Sequence, residues 1–433
     1  MSLEFNFQEL GNISDIKGGK RLPKGHNLIN IPNSHPYIKV KDMSQDKLLK
    51  LTNDFEYIEK DTYDEISQYI VKKDDLIISI VGTIGLTNII DYSLDNANLT
   101  ENCAKITNLN DEYNIEYIYY FLNSMIGQNL VHEATVGAVQ KKLPIKNIRS
   151  LNIPFPNLDI QNKIVKVLSD IDKKIETNKR INKNLEEQIE TVYNSFFVYY
   201  DDFSIEELEE CEIGLIPKEW DLLSLGEVTT QIKEKVGNND YKVFSAVNTG
   251  NLILSEDYFD KQVFSKSIEK YIVVKQKEFA YNPARVNIGS IGRNDFDYDG
   301  CVSPVYVAFK VEEGYENFVN MFIKSKRFNQ WVVTLASGSV RQTLNYTDFS
   351  MIKIAYPPKD LIEKFNIIYE SYYEVINHNN SMISNLEKIR DILLPKLMSG
   401  EIDVSQINCD DFLFVKIIHI TTLILRYLIE EII

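Results

Sequence analysis

The sequence predicts an α+β fold: two mixed α/β modules, related by a pseudo-two-fold axis and separated by a pair of long antiparallel coiled-coil helices. Three observations predict it. The chain repeats itself at a spacing of 201 residues, each half runs from short β-rich segments to one long helix, and both long helices carry the same heptad pattern.

The repeat is ordered along both halves. Gly137-Ala138-Val139-Gln140-Lys141-Lys142-Leu143 corresponds to Gly338-Ser339-Val340-Arg341-Gln342-Thr343-Leu344 at the 201-residue offset. The same offset carries residues 151–156 onto 352–357, and Asn184-Leu185-Glu186 onto Asn385-Leu386-Glu387. Further upstream, Tyr69-Ile70-Val71 resembles Tyr271-Ile272-Val273, and Val81-Gly82-Thr83-Ile84-Gly85 resembles Ile288-Gly289-Ser290-Ile291-Gly292, at offsets of 202 and 207 that imply loops of unequal length. A single shared tripeptide means little; a series in fixed order marks a duplicated unit.

Each half has the same grammar. Residues 76–81 and 304–309 read as strands, 115–129 and 316–333 as a short helix, and a glycine-bearing loop and a proline-flanked strand follow. Long helices at 158–199 and 359–397 close the halves. In the first, Ile164, Ile171, Asn178, Leu185 and Val192 fall seven apart, as do Leu168, Ile175, Asn182, Ile189 and Phe196. The second repeats the pattern with Phe365, Tyr372, Asn379, Leu386, Leu393 and with Tyr369, Ile376, Ile383, Arg390, Leu397. Such a/d seams specify helix pairing. Asn178 and Asn379 occupy equivalent layers; they read either as polarity tolerated at a wet layer or as buried amides that fix register. An antiparallel pair would place the two modules at opposite ends of the helices. The expected boundaries are 1–157 for the first module, 158–203 for its helix, 204–220 for a linker, 221–358 for the second module, 359–404 for its helix and 405–433 for an apolar tail.

With 433 residues, 44% apolar and 25% charged, the chain has enough material for two or three ordinary cores. Cys103, Cys211, Cys301 and Cys409 show no CxxC spacing, which argues against a zinc site or a disulfide framework and suits a reducing cytoplasm. The polar start, Met1 to Asn6, is not a signal peptide. The net charge of −16 gives no positive support for nucleic-acid binding. Its densest part is residues 204–215, at −5, whereas residues 216–358 are neutral, and a neutral module can still carry a basic face.

Particular residues then become recognisable. Pro154-Phe155-Pro156-Asn157-Leu158-Asp159-Ile160-Gln161-Asn162-Lys163-Ile164 resembles the P-x-P-x-L-x-x-Q-x-x-I lead into a helix of type I restriction-modification specificity subunits. Leu393-Leu394-Pro395-Lys396-Leu397-Met398-Ser399-Gly400-Glu401-Ile402 resembles the end of their second helix, and Ile213-Gly214-Leu215-Ile216-Pro217-Lys218-Glu219-Trp220 the approach to their second module. The resemblance covers about residues 5–404. It departs at Pro357-Pro358-Lys359-Asp360-Leu361, which lacks the glutamine, and the first module has no Ile-Pro-x-x-Trp approach. The resemblance implies a DNA-binding, non-catalytic subunit with two target-recognition domains, reading a bipartite asymmetric sequence in double-stranded DNA. It implies assembly with two methyltransferase subunits, which bring S-adenosylmethionine for adenine methylation, and with restriction subunits in the full enzyme. No cofactor is expected on this chain.

Side-chain chemistry suggests where DNA would be met. In the first module the candidates are Lys20 and Arg21 beside Gly18-Gly19, Lys39 and Lys41 on one strand face, Gln140, Lys141 and Lys142 in the repeated loop, and Lys146. In the second they are Lys242, Arg285, Arg293, Arg341 and Gln342. Glutamine can pair with adenine through two hydrogen bonds, and arginine or lysine with guanine or phosphate. Arg341 falls at the repeat equivalent of Gln140, so one scaffold position offers two readouts. The competing reading for each is an ordinary surface charge.

Enzymatic readings are weaker. Tyr281-Asn282-Pro283-Ala284-Arg285 lacks the second proline and the aromatic of an amino-methyltransferase motif, and there is no P-loop. Asp295, Asp297 and Asp299 read as a solvated turn, not as a nuclease or calcium site. Gly82, Gly85, Gly289 and Gly292 read as turn or bulge glycines rather than a phosphate cradle. The other alternative is a coiled-coil interaction protein without DNA specificity. In the tail, Lys416, His419, Arg426 and Glu430 interrupt an apolar run at helical spacing, which predicts an amphipathic helix against a partner or the bundle, with no membrane role.

If the helices act as a ruler, one heptad added to both, near Asn178 and Asn379, preserves the seam and lengthens them by about 10 Å. At about 3.4 Å per base pair, the unread spacer should grow by roughly three base pairs with the half-sites unchanged. Mapping methylated sites checks this; an unchanged spacer with intact activity would dismiss the ruler.

Overall fold

The structure, a computed structural model, describes residues 4–138, 140–248, 250–258, 265, 267–335 and 343–405. It divides into two compact units: the described residues up to Asn178 with those from Ser381 onward, and Lys179–Asn380. The division cuts both long helices, so each unit holds one mixed module and half of each helix. The tail beyond residue 405 lies outside the described residues, as does Cys409.

The expected mixed α+β architecture is present, and the two modules share a four-strand antiparallel order and a parallel strand pair. In the first unit a five-stranded sheet runs in the order Asp15–Gly18, Cys103–Thr107, Leu76–Ser79, Thr87–Ile90, Leu48–Leu49. Its first four strands are antiparallel, and a separate parallel pair joins Tyr37–Ile38 to Asn98–Leu99. The second unit repeats the antiparallel order with Thr229–Ile232, Val307–Val311, Phe279–Tyr281 and Ile291–Arg293, and the parallel pair with Lys242–Ala246 and Gly300–Val302. Each module is closed by a strand pair, Asn6–Glu9 with Asn152–Phe155 and Asp221–Ser224 with Lys353–Tyr356, in equivalent register. Leu76–Ser79 is buried at every residue, which explains its unbroken apolar run. The strand expected at 304–309 begins only at Val307, because Ser303 accepts the Tyr306 amide in a turn.

The single short helix expected in each half is two helices. Ile115–Asn123 stops at Ser124, whose hydroxyl accepts the Gly127 amide at 3.1 Å and starts Met125–Glu133. A side chain at Gly127 would sit 2.0 Å from the Phe121 carbonyl, so the bend needs glycine. Ser325, 201 residues on, breaks the second module's helices Glu316–Phe322 and Lys326–Leu335 in the same way, accepting the Phe328 amide at 3.2 Å. Apolar periodicity continues through both breaks, which hid them in the sequence. The linker at 204–220 is also more ordered than expected: Leu208–Cys211 and Gly214–Pro217 form an antiparallel hairpin, and the Trp220 ring packs against Phe197 and Tyr200.

The long helices are Leu158–Asn194, continued by a π-helical turn at Ser195–Tyr199, and Lys359–Met398. Within each unit their segments run antiparallel. In the first, Lys163 reaches the Ser405 carbonyl (2.9 Å) while Asp172 meets Arg390 (3.1 Å). In the second, Asn182 meets Asn379 while the Tyr193 ring lies 6.1 Å from that of Phe365. Ile164, Leu168, Ile171 and Ile175 are buried as the heptads require, and so are Ile376, Ile383, Leu386, Leu393 and Leu397. At the far end the seam turns by one residue: Tyr193 and Phe197 are buried, whereas Val192 and Phe196 are half-buried. A straight helix drifts against a strict seven-residue repeat, and the π turn adds to the rotation.

The polar layer is built differently from the repeat equivalence. Asn379 pairs with Asn182, not with Asn178, because antiparallel helices match positions that the repeat does not. The Asn379 amide donates to Asn182 Oδ1 at 2.8 Å, and Asn182 Nδ2 donates to Asn380 Oδ1 at 2.9 Å. Asn178 is buried, and its Nδ2 has no hydrogen-bond partner among the described residues. Asn182→Ala, which leaves two facing amides without their partner, should cost about 1–3 kcal/mol. Denaturant unfolding checks this, and Asn178→Leu should cost far less or stabilise.

Candidate nucleic-acid interface

In the first unit the candidate residues gather along one rim, linked by backbone hydrogen bonds. Gly19 and Lys20 donate to Cys103 and Leu99 (3.0 and 2.8 Å), Ile80 to Asn102 (2.8 Å), and Leu143 to Ile80 (2.9 Å). Val81 bridges Lys142 directly. The Gly18–Arg21 segment, the 100–103 turn, the 80–86 hairpin loop and the repeated loop therefore form one continuous surface. Lys39 and Lys41 join it through Ile38, whose carbonyl accepts the Thr100 amide at 3.0 Å, and Lys146 follows Ile145, which packs against Gly18.

The repeated loop is pinned at its base. Val136 and Lys142 exchange both backbone hydrogen bonds, at 2.8 and 2.9 Å. Gly137 takes φ +104°, and a side chain there would stand 2.4 Å from the Gln140 carbonyl. Gln140 and Lys141 are held exposed above this base, and the Lys142 side chain is exposed at the base itself. Lys141 Nζ lies 3.1 Å from His132 Nε2, whereas Lys142 and Lys146 make no ion pair among the described residues. The second unit anchors its loop in the same place: Leu344, equivalent to Leu143, donates to the Pro283 carbonyl at 3.0 Å. Arg341 and Gln342 lie outside the described residues.

Other cations on the rim are already partnered. Arg21 Nε lies 2.6 Å from Glu101 Oε1, and that hydrogen bond and charge hold the guanidinium above its ordinary pKa. Lys39 and Lys41 do not share a strand face, because Val40–Asp42 is a 3₁₀ turn, yet both amines converge on Glu56 Oε2, Lys41 at 2.7 Å. Burial, together with the Lys41 charge, pushes Lys39 below the usual lysine range. Asp42, which also faces the charges of Lys39 and Lys41, joins Glu56, so two carboxylates stand against two ammonium groups at this corner. Lys20 is exposed, with its amine 5.6 Å from the Tyr69 ring centroid. The sequence reading missed Glu101 and Glu56, since nothing in the pattern shows which acid folds against which base.

In the second unit Lys242 is exposed over the Tyr298 ring (5.3 Å), and Arg285 is exposed beside the turn at Val286–Ile288. Arg293 does not reach the surface. It is 4% exposed, with Nε 2.5 Å from Asp295, Nη1 2.6 Å from Asn317 Oδ1 and Nη2 3.3 Å from Tyr369 Oη. Burial opposes its charge, but Asp295 outweighs this and keeps it above the ordinary value. Its place in the sequence, on a strand ending at a turn, gave no sign of this inward course.

The features weighed for other chemistry have structural roles. Asn282 Oδ1 accepts the Ala284 amide at 3.1 Å, which makes Tyr281–Arg285 the turn equivalent to the 80–86 hairpin loop. Gly82, Gly85 and Gly289 take φ of +83°, +90° and +85° at turns, and Gly292 lies against the backbone of Asn251. Asp299 accepts the Gln276 amide at 3.1 Å. Among the described residues no cluster of His, Cys, Asp or Glu could hold a metal ion, and no helix is long and apolar enough to cross a membrane.

Residues 3–187 match the family described as Type I restriction modification DNA specificity domain. The chain is 24% identical over 393 residues to the type I restriction enzyme MjaIX specificity subunit of Methanocaldococcus jannaschii, covering 86% of this chain and 88% of that one. It is 23% identical over 331 residues to the HindI specificity subunit of Haemophilus influenzae, covering 60% and 71%. In fold it is similar to the type I restriction-modification S subunit from M. genitalium, with a TM-score of 0.55 at 16% identity, covering 91% of this chain and 96% of that one.

Two arginines in the second unit should respond oppositely to truncation. Arg293→Ala strands Asp295 and Asn317 and should cost about 3–5 kcal/mol in denaturant unfolding. Arg285→Ala, at the surface, should change stability by no more than about 0.5 kcal/mol.

Proposed function

We propose, from the likeness of this chain to type I restriction-modification specificity subunits, that it is the DNA-reading subunit of such an enzyme and performs no catalysis itself. Each mixed module reads one half of a bipartite, asymmetric target in double-stranded DNA. Two methyltransferase subunits, carrying S-adenosylmethionine, dock on the chain and methylate adenine within the target, and restriction subunits complete the assembly.

The observation that carries this reading is the repeated loop. In both units the residue after the loop, Leu143 or Leu344, is buried and hydrogen-bonded to the same point of the hairpin before it. The sequences before these leucines differ in chemistry: Gln140-Lys141-Lys142 in one, Arg341-Gln342-Thr343 in the other. A constant anchor preceded by variable polar residues fits a reader of two different half-sites, since the glutamine amide matches adenine and the arginine fork matches guanine. The surrounding ion pairs suit the same role. Because Glu101 and Glu56 offset Arg21, Lys39 and Lys41, the chain alone should bind DNA weakly, and the assembled complex should bind far more tightly.

The test is reconstitution. The chain alone should transfer no methyl group; with its methyltransferase subunits it should direct methylation to one bipartite sequence. Methyl transfer by the chain alone would refute the non-catalytic reading, and methylation without sequence preference would refute the reading role. Within the complex, Lys142→Ala should weaken binding to cognate and random DNA alike and lower the salt slope by about one. Gln140→Ala should instead lose about 1–3 kcal/mol of discrimination at one position. Binding titrations at several salt concentrations distinguish the two.

A further inference from the structure

The second unit contains a cavity of about 520 Å³ where its mixed module meets its half of the helix pair. Glu186 and Glu190 line it from the first long helix, Tyr369 and Tyr373 from the second, and Asn320 and Lys324 from the module. All lie within Lys179–Asn380. Asn320 is the anomaly. It is 2% exposed, its Nδ2 donates to Tyr369 Oη at 3.3 Å, and its Oδ1 has no hydrogen-bond partner among the described residues. An amide oxygen accepts two hydrogen bonds, so even with the amide turned to take the Tyr369 hydroxyl proton this wall of the cavity has room for an N–H or O–H group of a ligand.

The repeat shows how the cavity arises. At the equivalent place in the first unit, Arg390 Nη1 donates to Asp172 Oδ1 at 3.1 Å, and Tyr120 Oη donates to Asp172 Oδ2 at 2.6 Å. Tyr119 stands edge-on to Tyr120 with ring centroids 5.2 Å apart. There the space is filled by a guanidinium and two aromatic rings. At the 201-residue offset the second unit has Ile189 for Arg390, Asn320 for Tyr119 and Met321 for Tyr120. The same offset puts Tyr373 for Asp172 and Tyr369 for Leu168, so the guanidinium and the carboxylate that held it are both gone, the rings come from the long helix instead of the module, and a cavity remains. Arg293 lies behind this wall but is committed to Asp295, Asn317 and Tyr369. Lys324 is turned to Asn251 Oδ1, 3.2 Å away. Two carboxylates, Glu186 and Glu190, therefore exceed the one lysine, and tyrosine rings offer cation–π faces.

We propose that this cavity binds an organic cation with N–H donors, a guanidinium or primary ammonium on a short aliphatic stem. Asn320 Oδ1 accepts a hydrogen bond from it, and Glu186 and Glu190 supply the opposing charge. The ligand is either a free small cation or an arginine side chain of a bound protein subunit; the chemistry is the same.

Isothermal titration of the full chain with arginine, agmatine and spermidine tests it, with citrulline, the neutral analogue of arginine, as control. Arginine or agmatine should bind with a Kd on the order of 1–10 mM. Citrulline should be at least roughly tenfold weaker, and Asn320→Leu should weaken binding by roughly tenfold or more. Glu190→Gln should weaken it about threefold. Ile189→Arg restores the guanidinium of the first unit and should abolish binding while the chain remains folded; if that variant does not fold, Asn320→Leu carries the test. Repeating the titration on the complex with methyltransferase subunits separates the sources: retained binding identifies a free cation, and lost binding a partner's side chain. No binding to the free chain, equal binding of citrulline, or binding unchanged in Asn320→Leu would each overturn the proposal and leave a cavity that holds water only.

Discussion

Each module's core depends on a helix that belongs, by sequence, to the other half of the chain. The first unit's core includes Leu386, Leu393 and Leu397 from the second long helix, and the second unit's core includes Ile189, Tyr193 and Phe197 from the first. Burying a large apolar side chain is worth about 1.5–3 kcal/mol, so three such residues are comparable with the whole net stability of a domain, about 5–15 kcal/mol. Neither sequence half is therefore a folding unit. The duplication made two copies of a pattern, and antiparallel pairing exchanged their helices. The amides of Asn182, Asn379 and Asn380 act on this exchange: hydrogen-bonded to one another, they penalise any slip of the seam that would leave them buried and unpaired.

On the proposed function, the same logic explains how an acidic chain would present a reading surface. On the rim of the first unit, acids sit behind the bases instead of being absent. Glu101 orients Arg21, and Glu56 gathers Lys39 and Lys41, so few charges there are unopposed. Such a surface has little long-range attraction for the phosphate backbone and leaves discrimination to groups at close range. The exposed Gln140 and Lys141, on a loop closed at its base by Val136 and Lys142, are of that kind.

Much of this was legible in the sequence. The repeat offset predicted equivalent strands, equivalent loops and equivalent long helices, because a duplicated fold keeps its pleats and turns in register. The a/d seam predicted burial at Ile164, Leu168, Ile171 and Ile175, since heptad spacing states which side of a helix is dry. What the sequence hid was tertiary. Asn379 was matched by repeat to Asn178, but its partner is set by antiparallel pairing, which no linear offset expresses. Arg293 looked like a surface cation because its neighbours are polar, and only the fold turns it onto Asp295 and Tyr369. The breaks at Ser124 and Ser325 were masked by continuous apolar periodicity, although a serine followed by a close-packed Gly127 was a usable signal in the first half. Ion pairs such as Lys39 with Glu56 join residues whose separation along the chain carries no information.

On the proposed function the two modules read independently, each from its own surface. The most direct measurement exchanges residues 5–157 for the corresponding region of a related subunit, keeps both long helices, and maps every methylated site made by the assembled enzyme. One half-site should change while the other half-site and the spacer stay the same. Change in both half-sites from a single exchange would contradict it.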